Sequence, residues 1–397
     1  MEMLQVNEDV DFDNYITDYE YFNFHPTNIT ALNENDEVRI PVHTQDCYIL
    51  PCKSYITLTG SIFKTNNAIY DEKIVMNGFS HLFEDIRFLI NGEIIDRTRN
   101  PGYVSFMKGI CSYDNAQINT LQNAGWDHLN KEIKMLKDGK FNASIPLSHV
   151  LGFAEDFQKI LINARTELVM LRAKNTTNVT IGSQSVIKLN SIQWSLPIIK
   201  VSDQIRLSLI KTLEVDKPLP VAFRSWQLYE YPNVPQSTEF TWNVTTVPQL
   251  QKARFAIIGL QTNRETTAAN PSQFDLNFLT DVKLFLQDKK YPYNSFHVSY
   301  ENNIYSALYD RYTSFQSSYY GRNNQPMLNR NDFITKAPVF VIDCSKQNDD
   351  IKVGALNIRV EFTTSANLPA NTKAFCLIIH DKKITYRPLT GIVNSII

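Results

Sequence analysis

The groups in this chain with intrinsic reactivity are seven histidines, five cysteines and a scatter of carboxylates, and their spacing brings few of them together. The nearest approach to a metal-ligand set is His43 with Cys47 and Cys52. Two cysteines five residues apart with one histidine do not match structural zinc spacing, so no metal is assigned. No His-Glu-x-x-His occurs, no histidines stand two residues apart, and no Gly-x-x-x-x-Gly-Lys loop is present to cradle a phosphate. Cys344, beside Asp343, ends an apolar run and reads as a buried, inert thiol. His380-Asp381 follows the apolar run Phe375 to Ile379 and reads as a strand end turning into solvent. Asp85 and Asp281 open two similar runs and read as turn caps. No catalytic residue and no cofactor is expected, and the chain reads as non-enzymatic.

Two further clusters concern surfaces. Lys131, Lys134, Lys137 and Lys140, interrupted by Glu132 and Asp138, read as a solvated face. Tyr305, Tyr309, Tyr312 and Tyr319 recur at helical spacing with Phe315. Such a stripe either packs on the chain's own core or stands partly exposed at a subunit interface, where tyrosine offers apolar area and a polar tip. Arg311 and Arg322 would supply the polar rim. These six residues, Tyr305, Tyr309, Arg311, Tyr312, Tyr319 and Arg322, are the subunit-interface candidates.

The elements that position them come in pairs. From Asp85, a strand-like run stops at Asn91-Gly92, two residues that tolerate the positive φ of a type I′ turn. A return strand runs from Glu93 to Arg97. Asn100-Pro101 then reads as an N-cap with proline at the first helical position. The helix that follows carries Tyr103, Phe106, Met107 and Ile110 on one face, with Gly109 as terminator. The echo starts at Asp281-Val282-Lys283, turns at Gln287-Asp288, and leads to a helix expected from about Glu301, capped by Ser299, that stops at Gly321. The offset between copies is roughly half the chain, which is the signature of an internal repeat.

Composition sets the bounds. At 397 residues the chain exceeds one ordinary core and suggests two domains. Its 23 Phe and 19 Tyr favour sheet over helix. The net charge of −2 does not advertise nucleic-acid binding, and no Lys or Arg precedes Arg39, while residues 2 to 37 hold ten Asp and Glu. No secretory signal and no apolar run of membrane length is read. An odd number of scattered cysteines points to a reducing site of synthesis, and the five sequons, such as Asn142-Ala-Ser, then read as fortuitous.

In chain order, residues 1–37 read as an acidic arm docked on another surface, for which a neighbouring subunit is one candidate. Strands follow, with Ile56, Leu58, Gly60 and Ile62 alternating. The polar stretch Asp114 to Lys140 reads as an exposed excursion. Ala143 to Val150, Lys159 to Arg172 and Ser185 to Val201 read as strands, and Lys211 to Pro220 as a linker, because its prolines oppose helix and central strand. The second half repeats the order: Phe223 to Tyr231, Phe240 to Val247, Arg254 to Thr262, the hairpin–helix echo, Pro338 to Asp343, Leu356 to Thr363 and Lys373 to Arg387. The fold class is therefore all-β: two tandem eight-stranded jelly rolls, each with a short inserted helix. The domains are 38–210 and 221–397, joined by 211–220.

Here the chain resembles a known family. The runs DIRFLINGEIIDR, FNASIPLSHVLGFAEDFQKILINARTELVMLR, NIYSALYDRYTSFQSSYY, APVFVIDCSKQNDDIKVGALNIRVEF and AFCLIIHDKKITY, in this order, resemble double jelly-roll major capsid proteins of virophages, Maverick/Polinton-type elements and related arthropod-genome sequences. The resemblance implies a homotrimer forming pseudo-hexagonal capsomers of an icosahedral virion, with minor penton or cement proteins as partners. It implies no cofactor and no sequence-specific nucleic acid. A jelly-roll scaffold protein of particle assembly shares these features, and a carbohydrate-binding or hydrolytic jelly-roll protein would need a cleft between the barrels with convergent carboxylates or aromatics, for which the sequence offers no cluster.

Overall fold

The computed structural model describes residues 15–28, 32–43, 47–66, 68–69, 73–127, 136–182, 184–244, 252–264, 269–287, 289–346 and 357–396. Among the described residues, sixteen of the strands build two barrels of the same design. The first half contributes β1 (Ile16–Phe24), β2 (Glu37–Val42), β3 (Tyr55–Lys64), β4 (Phe83–Ile90), β5 (Glu93–Arg99), β6 (Lys140–Pro146), β7 (Thr166–Arg172) and β8 (Ser185–Val201). The second contributes β9 (Leu219–Tyr231), β10 (Glu239–Val244), β11 (Ala253–Thr262), β12 (Leu279–Leu286), β13 (Lys289–Tyr291), β14 (Phe340–Asp343), β15 (Ile358–Thr364) and β16 (Thr372–Tyr386). A last strand, β17 (Val393–Ile396), pairs with the end of β16.

Sheet order establishes the repeat. The first half stacks β1-β8-β3-β6 against β2-β7-β4-β5; the second stacks β9-β16-β11-β14 against β10-β15-β12-β13. Adding eight to each first-half strand gives its second-half counterpart without exception. All these pairings are antiparallel. Each half is thus an eight-stranded jelly roll. Period-two patterning drives the burial: Ile56, Leu58 and Ile62 of β3 and Ile358, Val360 and Phe362 of β15 are fully buried while their neighbours face outward. Each such side chain contributes roughly 1.5–3 kcal/mol of apolar burial.

A helix sits between the fifth and sixth strands of each barrel: α1 (Pro101–Ser112) in the first, and a second, Ser306–Tyr320, in the other. The Asn91-Gly92 turn has both residues at positive φ, 52° and 88°, as its sequence demands. Gln287 likewise has φ 54°, and Asp288 lies outside the described residues.

Several boundaries differ from the sequence reading, each for a local reason. Residues 16–24 are not a separate arm: β1 runs along β8 from Ile16 opposite Val201 to Phe24 opposite Trp194. The docking partner is the chain's own first sheet. The first half of the linker is helical, because Asp203–Val215 forms a helix ending at Asp216, whose φ is 48°. Leu219 and Pro220 open β9, and proline is tolerated there because β9 is an edge strand. β7 is shorter than expected, since Asn163 at φ 50° breaks the alternation before Thr166. β6 ends at Pro146 and Leu147–Val150 is helical.

Gly109 does not terminate α1. The helix runs to Ser112, and a Cβ at Gly109 would come within 2.5 Å of the Trp126 ring, so glycine permits that approach. Asn100 has φ 49° and its side chain makes no cap bond. The Ser306–Tyr320 helix begins later than expected, because residues 299–304 form a turn closed by reciprocal Ser299–Ile304 backbone bonds of 2.8 Å. In the polar 114–140 stretch, Asp114 and Gln117 form a capping box and Trp126 is fully buried. Lys131 and Lys134 fall outside the described residues.

Candidate functional site: the seam between the two barrels

Two consecutive residues after β6, Glu155 and Asp156, close a short helix, α2 (Gly152–Asp156), that lies against β9 of the other barrel. The packing is tight enough that a Cβ on Gly152 would fall 1.8 Å from the Arg224 carbonyl oxygen. On the facing side the 306–320 helix (hereafter α4, following α3 at Asp203–Val215) packs on α1. The two inserted helices, equivalent in the repeat, therefore meet.

A charged cluster forms where these elements converge. Lys108 of α1 is 1% exposed and pairs with Glu155 of α2. Its ammonium also donates to the Tyr320 hydroxyl at 2.7 Å and sits 4.5 Å from the Trp226 ring centroid. Glu155 accepts from Tyr320 at 2.8 Å and from Tyr319 at 3.2 Å. Burial pushes the Lys108 pKa down, with Glu155 opposing. Burial, then the nearby Glu155 charge, hold both tyrosine hydroxyls well above their ordinary value, so they remain donors.

Next to it, Asp156 receives both Nε and Nη2 of Arg224, at 2.8 and 2.5 Å, plus the Arg224 backbone N–H at 2.8 Å. The guanidinium lies 3.6 Å over the Tyr319 ring and donates to the Tyr319 carbonyl at 2.8 Å. Burial works against the Arg224 charge, yet the bonds to Asp156 outweigh it and its pKa rises. Lysine and both acids come from the first barrel; arginine and the aromatic walls come from the second. The set is charge-balanced, as buried ions require.

Other bonds extend the seam. Asp96 of β5 is fully buried, accepting from Ser225 of β9 at 2.6 Å and from the Phe153 N–H at 2.9 Å. Lys382 of β16 donates to the Ile95 carbonyl at 2.6 Å. Asn100 donates to Glu230 at 2.6 Å, which explains why it does not cap α1. The last carbonyls of α1, which no helix can satisfy internally, are taken by α4 and the loop after it. Tyr312 donates to Ile110, Gln316 to Ser112 at 3.3 Å, and Arg322 to Ser112. A cation at a helix C-terminus also favours the macrodipole.

The six interface candidates are therefore placed as follows. Tyr305, Tyr312 and Tyr319 are 4%, 1% and 6% exposed, so they are buried inside this chain. Tyr312, Tyr319 and Arg322 face the other barrel of the same chain rather than another subunit. Tyr309 is half-buried and donates to the Leu328 carbonyl at 3.1 Å. Arg311 alone of the six is exposed.

The reactive groups singled out in the sequence have structural roles. Asp85 is clamped by Arg97 at 2.9 Å and Arg87 at 2.6 Å, while Asp281 caps the Phe296 N–H at 2.9 Å. Cys344 is buried. His380 lies within β16 and is buried, not at a strand end, because the strand continues to Tyr386. No group of three His, Cys, Asp or Glu that could hold a metal occurs among the described residues. No helix there is long and apolar enough to cross a membrane. Sequence reasoning missed Lys108, Glu155, Asp156, Trp226 and Arg224. The one available signal was a lysine inside YVSFMKGICS, a helix whose other positions are nearly all small or apolar.

Comparison with known proteins agrees with the sheet order. The Sputnik virophage cryo-EM structure superposes with TM-score 0.63 at 10% identity, covering 100% of this chain and 92% of that one. The PBCV-1 virus capsid gives 0.62 at 12% identity, with 98% and 99% covered. The mavirus major capsid protein gives 0.55 at 10%, with 99% and 92% covered. Such identities make the likeness one of fold. No curated protein matches the chain in sequence. A family model, the double jelly roll-like domain, matches residues 73–384, from before β4 into β16, and the chain belongs to that family.

Proposed function

We propose that this chain is a structural capsid subunit: a major capsid protein of an icosahedral virion that assembles as a trimeric, pseudo-hexagonal capsomer. The observation that carries the reading is the repeated strand order in two barrels locked by a polar seam, in a fold shared along nearly its whole length with virophage and PBCV-1 capsid proteins. Two similar barrels give one subunit two similar sides. Three such subunits approximate sixfold symmetry while obeying a closed threefold rule. A net charge of −2 suits a shell that encloses nucleic acid without gripping it.

In this reading the barrels, Ile16–Val201 and Leu219–Tyr386, are the two domains and α3 joins them. The seam is internal mortar that holds both barrels in one orientation, a non-enzymatic role. Arg311 is the one earlier candidate retained for contact with another subunit. Neighbouring capsomers and minor capsid proteins are the expected partners, and the virion shell is the location.

Light scattering on the purified full chain, followed by negative-stain imaging, tests this. A stable trimer with hexagonal outline is expected. A strict monomer at high concentration overturns the capsomer reading.

A further inference from the structure

Two aromatic surfaces on this chain stand exposed, one on each barrel, and they carry opposite charge. The first is β1. It forms the open edge of its sheet; seven of its nine residues are exposed and none is buried, with Tyr19, Tyr21 and Phe22 each more than 40% exposed. A nine-residue edge strand with bare aromatics on both faces is a template for association, which soluble monomers normally blunt. Its charged residues are Asp18 and Glu20, with no lysine or arginine; Lys200 on the neighbouring strand engages Asp18 at 2.9 Å.

The second surface flanks β12 and β13 in the other barrel, with Phe278 just before β12 and Tyr293 and Tyr300 after β13. Tyr293 is 85% exposed, Tyr300 56% and Phe278 49%. Phe278 is held at φ 60°, next to Asn277 at φ 47°. The left-handed region is uncommon for a bulky side chain and marks a position where the fold sustains strain to present the group. The turn is fixed by Ser365 N–H to the Phe278 carbonyl at 2.9 Å and Val298 N–H to Thr280 at 2.8 Å, which brings the 296–304 segment beside it. Around Tyr293 the charge is basic: Lys289 and Lys290 are exposed on β13, and the Lys290 ammonium lies 5.5 Å from the Tyr293 ring, while the exposed Glu301 beside Tyr300 is the acidic exception.

We infer that β1 of one copy docks on the Phe278–Tyr293–Tyr300 face of the next copy, with Glu20 opposite the Lys289–Lys290 pair. The partner is a second copy because both halves of the contact are present on one chain, stand largely exposed among the described residues, and match in aromatic character and in charge. They lie on different barrels, so the contact is head-to-tail, the type that closes into a ring. Apolar rings supply area and the charges set register. This inference rests on the capsomer reading above and names the surface that reading requires.

The test uses the full chain at several concentrations with light scattering. Lys289→Glu with Lys290→Glu is expected to weaken association roughly tenfold, as loss and reversal of exposed pairs does. Adding Glu20→Lys is expected to restore it, a rescue that a folding defect would not show. In parallel, Tyr19→Cys mixed with Tyr300→Cys should give an intermolecular disulfide mapped by peptide mass. Trimers that ignore the charge reversals and yield no such disulfide overturn this surface and leave the capsomer reading standing. A wild-type chain that stays monomeric overturns both.

Discussion

The phenol of Tyr312, in the second barrel, donates to the carbonyl of Ile110 at 3.0 Å, in the last turn of the first barrel's helix. The same oxygen accepts from the Leu328 N–H at 3.1 Å, so one hydroxyl serves three segments. The helix thus finishes its hydrogen bonding only when the two barrels are together. Tyr312→Phe keeps the ring against Phe333 and removes the hydroxyl, leaving a buried carbonyl and a buried N–H without that partner. The expected loss is about 1–3 kcal/mol, visible as a lower midpoint in chemical denaturation. An unchanged midpoint would mean that water replaces the phenol.

Lys108 and Glu155 give a larger effect with a distinct signature. Lys108→Met removes one member of a buried pair and strands the other, which costs about 3–5 kcal/mol in comparable cases. Combining it with Glu155→Gln removes both charges and should recover much of that loss, since apolar replacement of a whole buried pair is often tolerated. A double-mutant cycle by thermal unfolding measures the coupling. Additive losses would place the seam's stability in the aromatic walls instead.

How much of this could be read from the sequence depends on range. Period-two runs such as Ile358, Val360 and Phe362, and the turn at Asn91-Gly92, are set by neighbours in the chain, and their structures follow the local pattern. The repeat was legible because both halves keep the same succession of runs. The seam was not. Glu155 and Asp156 look like any solvated acidic pair until α2 places them against β9, and the stripe with Tyr312 and Tyr319 reads as core or as interface until α1 covers it. Long-range partners override local polarity there, and no periodicity encodes them. β1 was obscured differently: its acidic stretch read as an arm docked on some other surface, while an edge strand can be exposed on both faces and still pair along one side with its own sheet.

Gly152 tests whether the barrels must approach as closely as they do. A methyl group there would meet the backbone oxygen of Arg224, not a flexible side-chain end, so neither partner can yield cheaply. Gly152→Ala is expected to destabilise by more than the roughly 1–3 kcal/mol typical of overpacking, and to expose the α3 connection to protease. Gly92→Ala, where no atom lies within 4 Å of the added carbon, is the comparison: it strains a positive φ but leaves the seam closed. Equal proteolysis of the two variants would count against the seam as the controlling contact.

Acid should weaken the fold through buried histidines. His149 meets the Tyr113 hydroxyl at Nδ1 and, at Nε2, the Asn77 Oδ1 and the donating Trp126 N–H in a fully buried network, and burial, then Lys108, lower its pKa to about 3. Burial also lowers His81 and His380, each to about 4. All three have an ordinary value of 6.5, so the unfolded chain binds protons that the folded chain refuses. Their contribution is intact above pH 6.5 and is lost progressively as pH falls from there towards the folded values. Each proton adds a slope of about 1.4 kcal/mol per pH unit, up to three such slopes together. Thermal midpoints should therefore fall steeply between pH 6 and 4, as expected from those shifts. Replacing His380 by Gln, whose amide does not titrate, should flatten the profile by one proton. A profile that keeps its slope in that variant would move the acid sensitivity to other groups, though not to Asp96, whose carboxyl burial raises so that it takes up its proton in the folded state first and opposes the loss.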